Sequence, residues 1–183
     1  MAAFVALTSV VTTLFYFEQA NVVRRAFATD AQRVEAFATI DMIAASATIL
    51  VGLLLAARFI RRLGARRGLI FLPVAAALSF ALLRMSPTFL SVVIAQSTIR
   101  SFNFGIVTPA RESMFTELSR ELNYRGKSVI DTLAWRTGDF IGTWATSLTA
   151  VLGVSVSVTA AVAVVVWSFT AFSFADPNAR GAA

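Results

Sequence analysis

Residues 88–108 read TFLSVVIAQSTIRSFNFGIVT, an apolar run that is long enough to cross a bilayer as a helix and that carries Arg100 near its middle. An arginine at the centre of a membrane-spanning helix costs about 3 kcal/mol on insertion scales, so such residues usually mark a solute pathway or a binding site. This stretch therefore predicts a membrane-spanning helix with a functional charge.

The composition of the whole chain agrees with this interpretation. Hydrophobic residues make up 57% of the 183 residues and charged residues 14%, which excludes an ordinary soluble domain. Six apolar stretches are long enough to span a membrane. Their length excludes transmembrane β-strands, which have about ten residues. They lie at residues 1–17, 39–57, 68–83, 88–108, 129–151 and 153–174. We expect an all-α membrane protein in which residues 1–183 form a single domain of six transmembrane helices.

The chain contains neither cysteine nor histidine. This excludes disulfides, thiol chemistry, His-ligated metals and Ser–His catalysis. We therefore expect no catalytic residues, no metal and no cofactor. Met1 leads directly into apolar sequence, so a cleaved signal peptide is not expected, and a helix that starts at residue 1 suggests a fragment of a longer protein.

The net charge of +6 is distributed unevenly between the predicted loops. Most of the basic residues fall on one side of the predicted membrane: Arg58, Arg61, Arg62, Arg66, Arg67, Arg111, Arg120, Arg125, Lys127 and Arg180. The positive-inside rule then places both termini in the cytoplasm, in a multi-pass protein of the inner membrane. The basic balance is thus explained by topology, and no nucleic-acid partner is expected.

The predicted connections suggest an internal symmetry. The two longest, residues 18–38 and 109–128, each join the first and second helices of a three-helix group, and the two groups have opposite orientations. This arrangement is typical of the inverted 3+3 repeat in each half of a major facilitator transporter. The sequence therefore predicts half of such a transporter.

Polar and charged residues in the fourth and fifth predicted helices form the candidate binding site. At about 100° per residue, Arg100 and Asn103 share one helical face. Arg136 and Asp139 lie about two turns into the antiparallel fifth helix, at a depth where they could meet Arg100. We expect Arg100, Asn103, Arg136 and Asp139 to bind substrate, with Arg136 and Asp139 forming a switchable ion pair. Their spacing of three residues is also consistent with a purely structural pair.

A second group of charges, at the predicted cytoplasmic end, is a candidate gate. It consists of Arg111, Glu112, Lys127 and Asp131. Each has a structural alternative: Arg111 and Glu112 could snorkel to the interface, and Ser128-x-x-Asp131 matches a capping box at a helix start.

Residues 100–139 also carry a family resemblance. The step Pro109-Ala110-Arg111-Glu112 is followed by Lys127-Ser128-Val129-Ile130-Asp131 and by Arg136-x-Gly138-Asp139. This pattern resembles the tenth and eleventh helices of the ATP/ADP translocase-like branch of the major facilitator superfamily, which includes nucleotide exchangers and many bacterial permeases. The resemblance implies the carboxy-terminal half of a twelve-helix carrier whose partner is an amino-terminal six-helix half, with nucleotides among the candidate solutes. The Arg136-x-Gly138-Asp139 step is more similar to the permeases than to the exchangers.

These observations predict a secondary transporter, not an enzyme, that moves a small anionic solute by alternating access. Arg100 would pair with a phosphate or carboxylate through bidentate contacts. Two alternatives remain open. One is a proton- or sodium-coupled permease for a neutral solute, in which Asp139 carries the coupling ion, and the other is a non-transporting membrane subunit or degenerate half-carrier.

Overall fold

The computed structural model describes residues 2–115, 120–153 and 156–175, and these ranges are helical apart from short connections. The helices are α1 (Ala2–Ala26), α2 (Asp30–Val51), α3 (Ala57–Leu63), α4 (Ala65–Gly68), α5 (Phe71–Met85), α6 (Phe89–Phe102), α7 (Thr108–Phe115), α8 (Arg120–Leu152) and α9 (Val156–Ala175). Two π-helical turns, Gly52–Ala56 and Asn103–Val107, join α2 to α3 and α6 to α7. The prediction of an all-helical chain is confirmed for the described residues.

Local sequence signals explain where several of these helices begin and end. Thr29 caps α2 in a reciprocal capping box with Gln32. Thr88 caps α6 by accepting a hydrogen bond from the backbone N–H of Ser91. Gly64 has a φ of 78°, a left-handed conformation that separates α3 from α4.

Within the described residues, four helical segments are long and apolar enough to cross a membrane: Ala2–Ala26, Asp30–Arg62, Arg66–Met85 and Phe89–Ser113. The fifth and sixth predicted spans fall on α8 and α9, and α9 contains a shorter apolar helix, Val158–Ser173. Large apolar side chains also face outward along α9, where Phe169 is 75% exposed. Such a surface is compatible with a membrane protein, whose outer face contacts lipid. The total of six spans stays a prediction.

The prediction of two long connections is wrong. The expected loop 18–38 is almost entirely helical, since α1 continues to Ala26 and α2 begins at Asp30. In the expected loop 109–128, the described residues belong to α7 and α8. The reason is that hydropathy marks only the apolar part of a helix, whereas charged turns extend it beyond that part.

The packing partners of the helices define the bundle. Helix α1 packs against α8 and α9, whereas α6 packs against α2 and α5. Helices α5 and α9 also pack against each other, and this contact joins the helices around α1 to those around α6. The largest fully buried side chains include Phe4 and Phe15 of α1, Leu72 of α5 and Trp167 of α9, so the core lies between these helices.

Helices α1 and α8 approach each other closely where they cross. A Cβ atom on Gly138 would lie 2.6 Å from Cβ of Ser9 and closer still to the carbonyl oxygen of Ala6, and one on Gly142 would lie 2.9 Å from Cβ of Thr13. Gly138 and Gly142 thus form a Gly-x-x-x-Gly motif that lets the two backbones touch, as is common between membrane helices. The crossing sets the position of the neighbouring residue, Asp139.

Candidate functional site

Arg100 forms an ion pair with a residue of another helix. Its Nη1 atom lies 2.6 Å from Oδ1 of Asp41, so the pair joins α6 to α2. The side chain of Arg100 is 35% exposed and that of Asp41 is 65% exposed. Asp41 was not among the residues predicted at the site, although it is the only acidic residue in the predicted span 39–57. That isolation was a signal that Asp41 has a partner on another helix, although it does not show which one.

A cavity of about 250 Å³ lies beside this ion pair. Three helices, α1, α6 and α8, and the π-helical turn after α6 contribute its lining: Thr12, Phe15, Tyr16, Gln96, Ile99, Arg100, Asn103, Phe104 and Trp135. The lining is mostly aromatic and apolar with a few convergent polar groups, which is the usual character of a ligand site. Its size suits a small solute or one group of a larger solute.

Asn103 shares the cavity with Arg100, which agrees with their predicted common face. It is the first residue of the π-helical turn Asn103–Val107, and its side chain is largely buried, with 7% of the residue exposed. Turns of this type are often found at functional sites because they alter the direction of neighbouring side chains. Asn103 therefore adds an uncharged donor and acceptor next to the guanidinium group.

Asp139 contacts hydroxyl groups of α1. The Oγ atom of Ser9 lies 2.5 Å from Oδ1 of Asp139, and Thr13 donates a hydrogen bond of 3.1 Å to the same oxygen. Ser9 Oγ is also 2.9 Å from the backbone carbonyl of Trp135. One carboxylate, two hydroxyls and one carbonyl are thereby brought together where α8 crosses α1.

The expected ion pair between Arg136 and Asp139 is absent from the described part of the chain. The side chain of Arg136 is exposed, whereas Asp139 is held at the helix crossing by Ser9 and Thr13. The structure therefore corrects the predicted pairing. Neither Arg136 nor Asp139 is among the residues that line the cavity at Arg100, where α8 instead contributes Trp135.

Two of the four predicted gate residues meet. Nη2 of Arg111 lies 3.3 Å from Oδ2 of Asp131, and the two side chains are 18% and 26% exposed. This ion pair joins α7 to α8, and it is more buried than the Arg100–Asp41 pair. Glu112 is exposed on α7, and Lys127 lies within α8, but its side chain is outside the described residues.

The capping-box alternative for Asp131 is wrong. Helix α8 begins at Arg120, so Ser128 and Asp131 lie in its interior and not at its start. Arg111 also differs from a snorkelling side chain, which keeps its charged group in water. The Nε atom of Arg111 is buried and has no hydrogen-bond partner in the described structure.

Comparison with known proteins gives no relative: no protein-family model matches the chain, and no curated protein or solved structure is significantly similar to it. The resemblance of residues 100–139 to the translocase-like family stays a prediction.

Proposed function

We propose that this chain is one six-helix half of a major facilitator-type secondary transporter, and that it binds a small anionic solute at Arg100. The observation that carries this proposal is the cavity at Arg100, in which a guanidinium group lies beside Asn103 near the middle of the helical segment Phe89–Ser113. Guanidinium has five N–H donors, and the ion pair with Asp41 uses Nη1. Donors therefore remain for a phosphate or carboxylate.

The packing of the helices supports the inverted-repeat architecture. Suppose that α1, α2 and α5 correspond in order to α6, α8 and α9. The packing of α1 against α8 then corresponds to that of α6 against α2, and the packing of α1 against α9 corresponds to that of α6 against α5. The pair α5 and α9 corresponds to itself. This is the pattern expected of two related three-helix units, and it replaces the loop lengths as the support for a 3+3 repeat.

The two ion pairs support a mechanism of alternating access. When the cavity is empty, Asp41 neutralises Arg100 and lowers the cost of holding the charge in a membrane. An anionic solute would compete with Asp41 for the guanidinium group and release the contact between α2 and α6. The Arg111–Asp131 pair would then act as the gate between α7 and α8, at the end of the bundle that the charge distribution assigns to the cytoplasm.

The partner in this proposal is an amino-terminal six-helix half that covers the cavity from the other side. The family resemblance adds nucleotides to the phosphate- and carboxylate-bearing solutes to be tested. Both termini would be cytoplasmic, in the inner membrane.

The test is uptake of inorganic phosphate, nucleotides and dicarboxylates into proteoliposomes that contain the carrier with both halves. Arg100→Gln should lower uptake at least about tenfold, since hydrogen bonds to charged groups contribute about 1.5–3 kcal/mol. Arg84→Gln is the matched control, because Arg84 is exposed in the last turn of α5 and does not line the cavity. Unchanged uptake of every anion in Arg100→Gln would disprove the proposal.

The environment of Asp139 favours a second candidate, a sodium- or proton-coupled permease for a neutral solute. Two hydroxyl groups contact its carboxylate, and within the described residues no basic side chain forms an ion pair with it. Oxygen ligands of this kind suit hard cations. Uptake that loses its dependence on sodium or pH in Asp139→Asn, but is retained in Arg100→Gln, would favour this candidate over the anion carrier.

A further inference from the structure

A second cavity, of about 480 Å³, lies on the outside of the bundle and is lined by Leu55, Arg58, Phe59 and Arg62. These residues are three and four positions apart, so they share one face of the helical segment formed by the π turn Gly52–Ala56 and α3. The ring of Phe59 packs edge-on against Phe71 at the start of α5, with centroids 4.7 Å apart. The wall of this groove is thus fixed by contacts between two helices.

The two arginines of the groove have no carboxylate partner in the part of the chain that the structure describes. Arg58 and Arg62 are exposed, and neither takes part in the ion pairs found there. Arg61 does not line the groove, and its Nε atom donates a hydrogen bond to the carbonyl of Ala57. The sequence between Asp41 and Glu112 contains no acidic residue, so this part of the chain provides no intrinsic counter-charge.

Exposed leucines precede the two arginines on the same helical segment. Leu53, Leu54 and Leu55, one turn before the arginines, are 77%, 60% and 43% exposed. Exposed leucines in one helical turn, followed by arginines in the next, match the order of layers at a membrane surface, where acyl chains give way to headgroups. A soluble anion has no apolar surface that could pack against the apolar wall.

We propose that this groove is a binding site for an anionic phospholipid, with Arg58 and Arg62 contacting the headgroup phosphate and with Leu55 and Phe59 contacting the upper part of an acyl chain. The site depends on the chain lying in a membrane but not on transport or on Arg100. It is therefore independent of the proposed function.

The experiment measures binding of phosphatidylglycerol to the purified full chain by native mass spectrometry, with phosphatidylcholine and inorganic phosphate as comparison ligands. The test variant is Arg58→Gln with Arg62→Gln. The matched control is Arg66→Gln with Arg67→Gln, which removes the same charge from the same end of the bundle but outside the groove. Arg58→Lys with Arg62→Lys retains both charges, and retained phosphatidylglycerol binding in this variant shows that a loss in the glutamine variant comes from charge and not from misfolding.

The test variant should lose at least about tenfold in affinity for phosphatidylglycerol and the control less than about threefold, because a basic residue near an anionic membrane contributes about 1 kcal/mol. Phosphatidylcholine should bind more weakly, and inorganic phosphate should not displace the lipid. Equal losses in both double variants would indicate a diffuse charge effect and overturn the proposal. Unchanged binding in the test variant, or displacement of the lipid by inorganic phosphate, would also overturn it.

Discussion

Asp41 of α2 and Arg100 of α6 are ion-paired across two helices, with Oδ1 and Nη1 2.6 Å apart. The pair has no net charge, so it is less costly in a membrane than the isolated arginine that the sequence suggested. It also gives Arg100 an internal competitor for any anion that enters the cavity. The affinity of the site for solute therefore depends on Asp41 as well as on Arg100.

This competition predicts the effect of Asp41→Asn. The substitution keeps the size of the side chain but removes the charge that competes with solute. We expect the half-saturating concentration of the transported anion to fall about 1.4- to fivefold, because exposed ion pairs contribute about 0.2–1 kcal/mol. The measurement is the concentration dependence of uptake into proteoliposomes.

Asp30→Asn is the control for that substitution. Asp30 also pairs with an arginine, Arg33, at 2.8 Å, but in the exposed first turn of α2 and away from the cavity. It should leave half-saturation unchanged. A higher half-saturating concentration in Asp41→Asn would contradict competition and would indicate that Asp41 itself contacts the solute.

Helix content and the common face of Arg100 and Asn103 could be predicted because both follow from local patterns. Apolar run length predicts a helix, and a spacing of three residues predicts a shared face. The partner of Arg100 could not be predicted in this way, since Asp41 is 59 residues distant along the chain and meets Arg100 only through the packing of α2 on α6. An ionisable residue in an apolar helix indicates that a partner exists, but not which one.

The crossing of α1 and α8 predicts a difference between two glycines. A methyl group at Gly138 would overlap Ser9 and the carbonyl of Ala6, whereas at Gly52 its nearest neighbour would be Cα of Gly105 at 3.8 Å, an ordinary contact. Overpacking costs about 1–3 kcal/mol, and alanine recovers about 1 kcal/mol of helix propensity. Gly138→Ala should therefore be destabilising and Gly52→Ala neutral or slightly stabilising.

Thermal unfolding in detergent, followed by circular dichroism, checks this pair of variants. The midpoint for Gly138→Ala should fall by up to about 8 °C, since the net loss is up to about 2 kcal/mol and 1 kcal/mol corresponds to about 2–4 °C in a chain of this size. Equal midpoints in the two variants would show that α1 and α8 are too far apart at Gly138 for a methyl group to overlap Ser9 and Ala6.

The same crossing explains why the Arg136–Asp139 pair was predicted wrongly. A spacing of three residues permits an ion pair, but it does not account for hydroxyl groups on another helix. Ser9 and Thr13 lie opposite Gly138 and Gly142, so the contact that brings the helices together also supplies partners for Asp139. The Gly-x-x-x-Gly motif was the signal in the sequence that could have indicated this crossing.

The Arg111–Asp131 ion pair predicts coupling between two substitutions. Arg111→Gln and Asp131→Asn should each lower the stability of the chain, because each leaves a partly buried charge without its partner. The double variant should be less destabilised than the sum of the two, with a coupling energy of about 0.5–3 kcal/mol. A double-mutant cycle of unfolding free energies measures it, and strict additivity would show that the two side chains do not interact.

Trp167 of α9 gives a prediction about the core. The side chain is fully buried, it packs on Phe4 of α1 with ring centroids 5.6 Å apart, and its Nε1 atom has no hydrogen-bond partner in the described structure. Trp167→Phe removes the unsatisfied N–H, whose burial costs about 1–3 kcal/mol, and keeps an aromatic ring against Phe4. Trp167→Ala removes the ring and should cost about 3–5 kcal/mol. Unfolding free energies in detergent should therefore be nearly unchanged for the phenylalanine variant and much lower for the alanine variant. A large loss in both variants would indicate that the indole N–H has a partner in the folded protein.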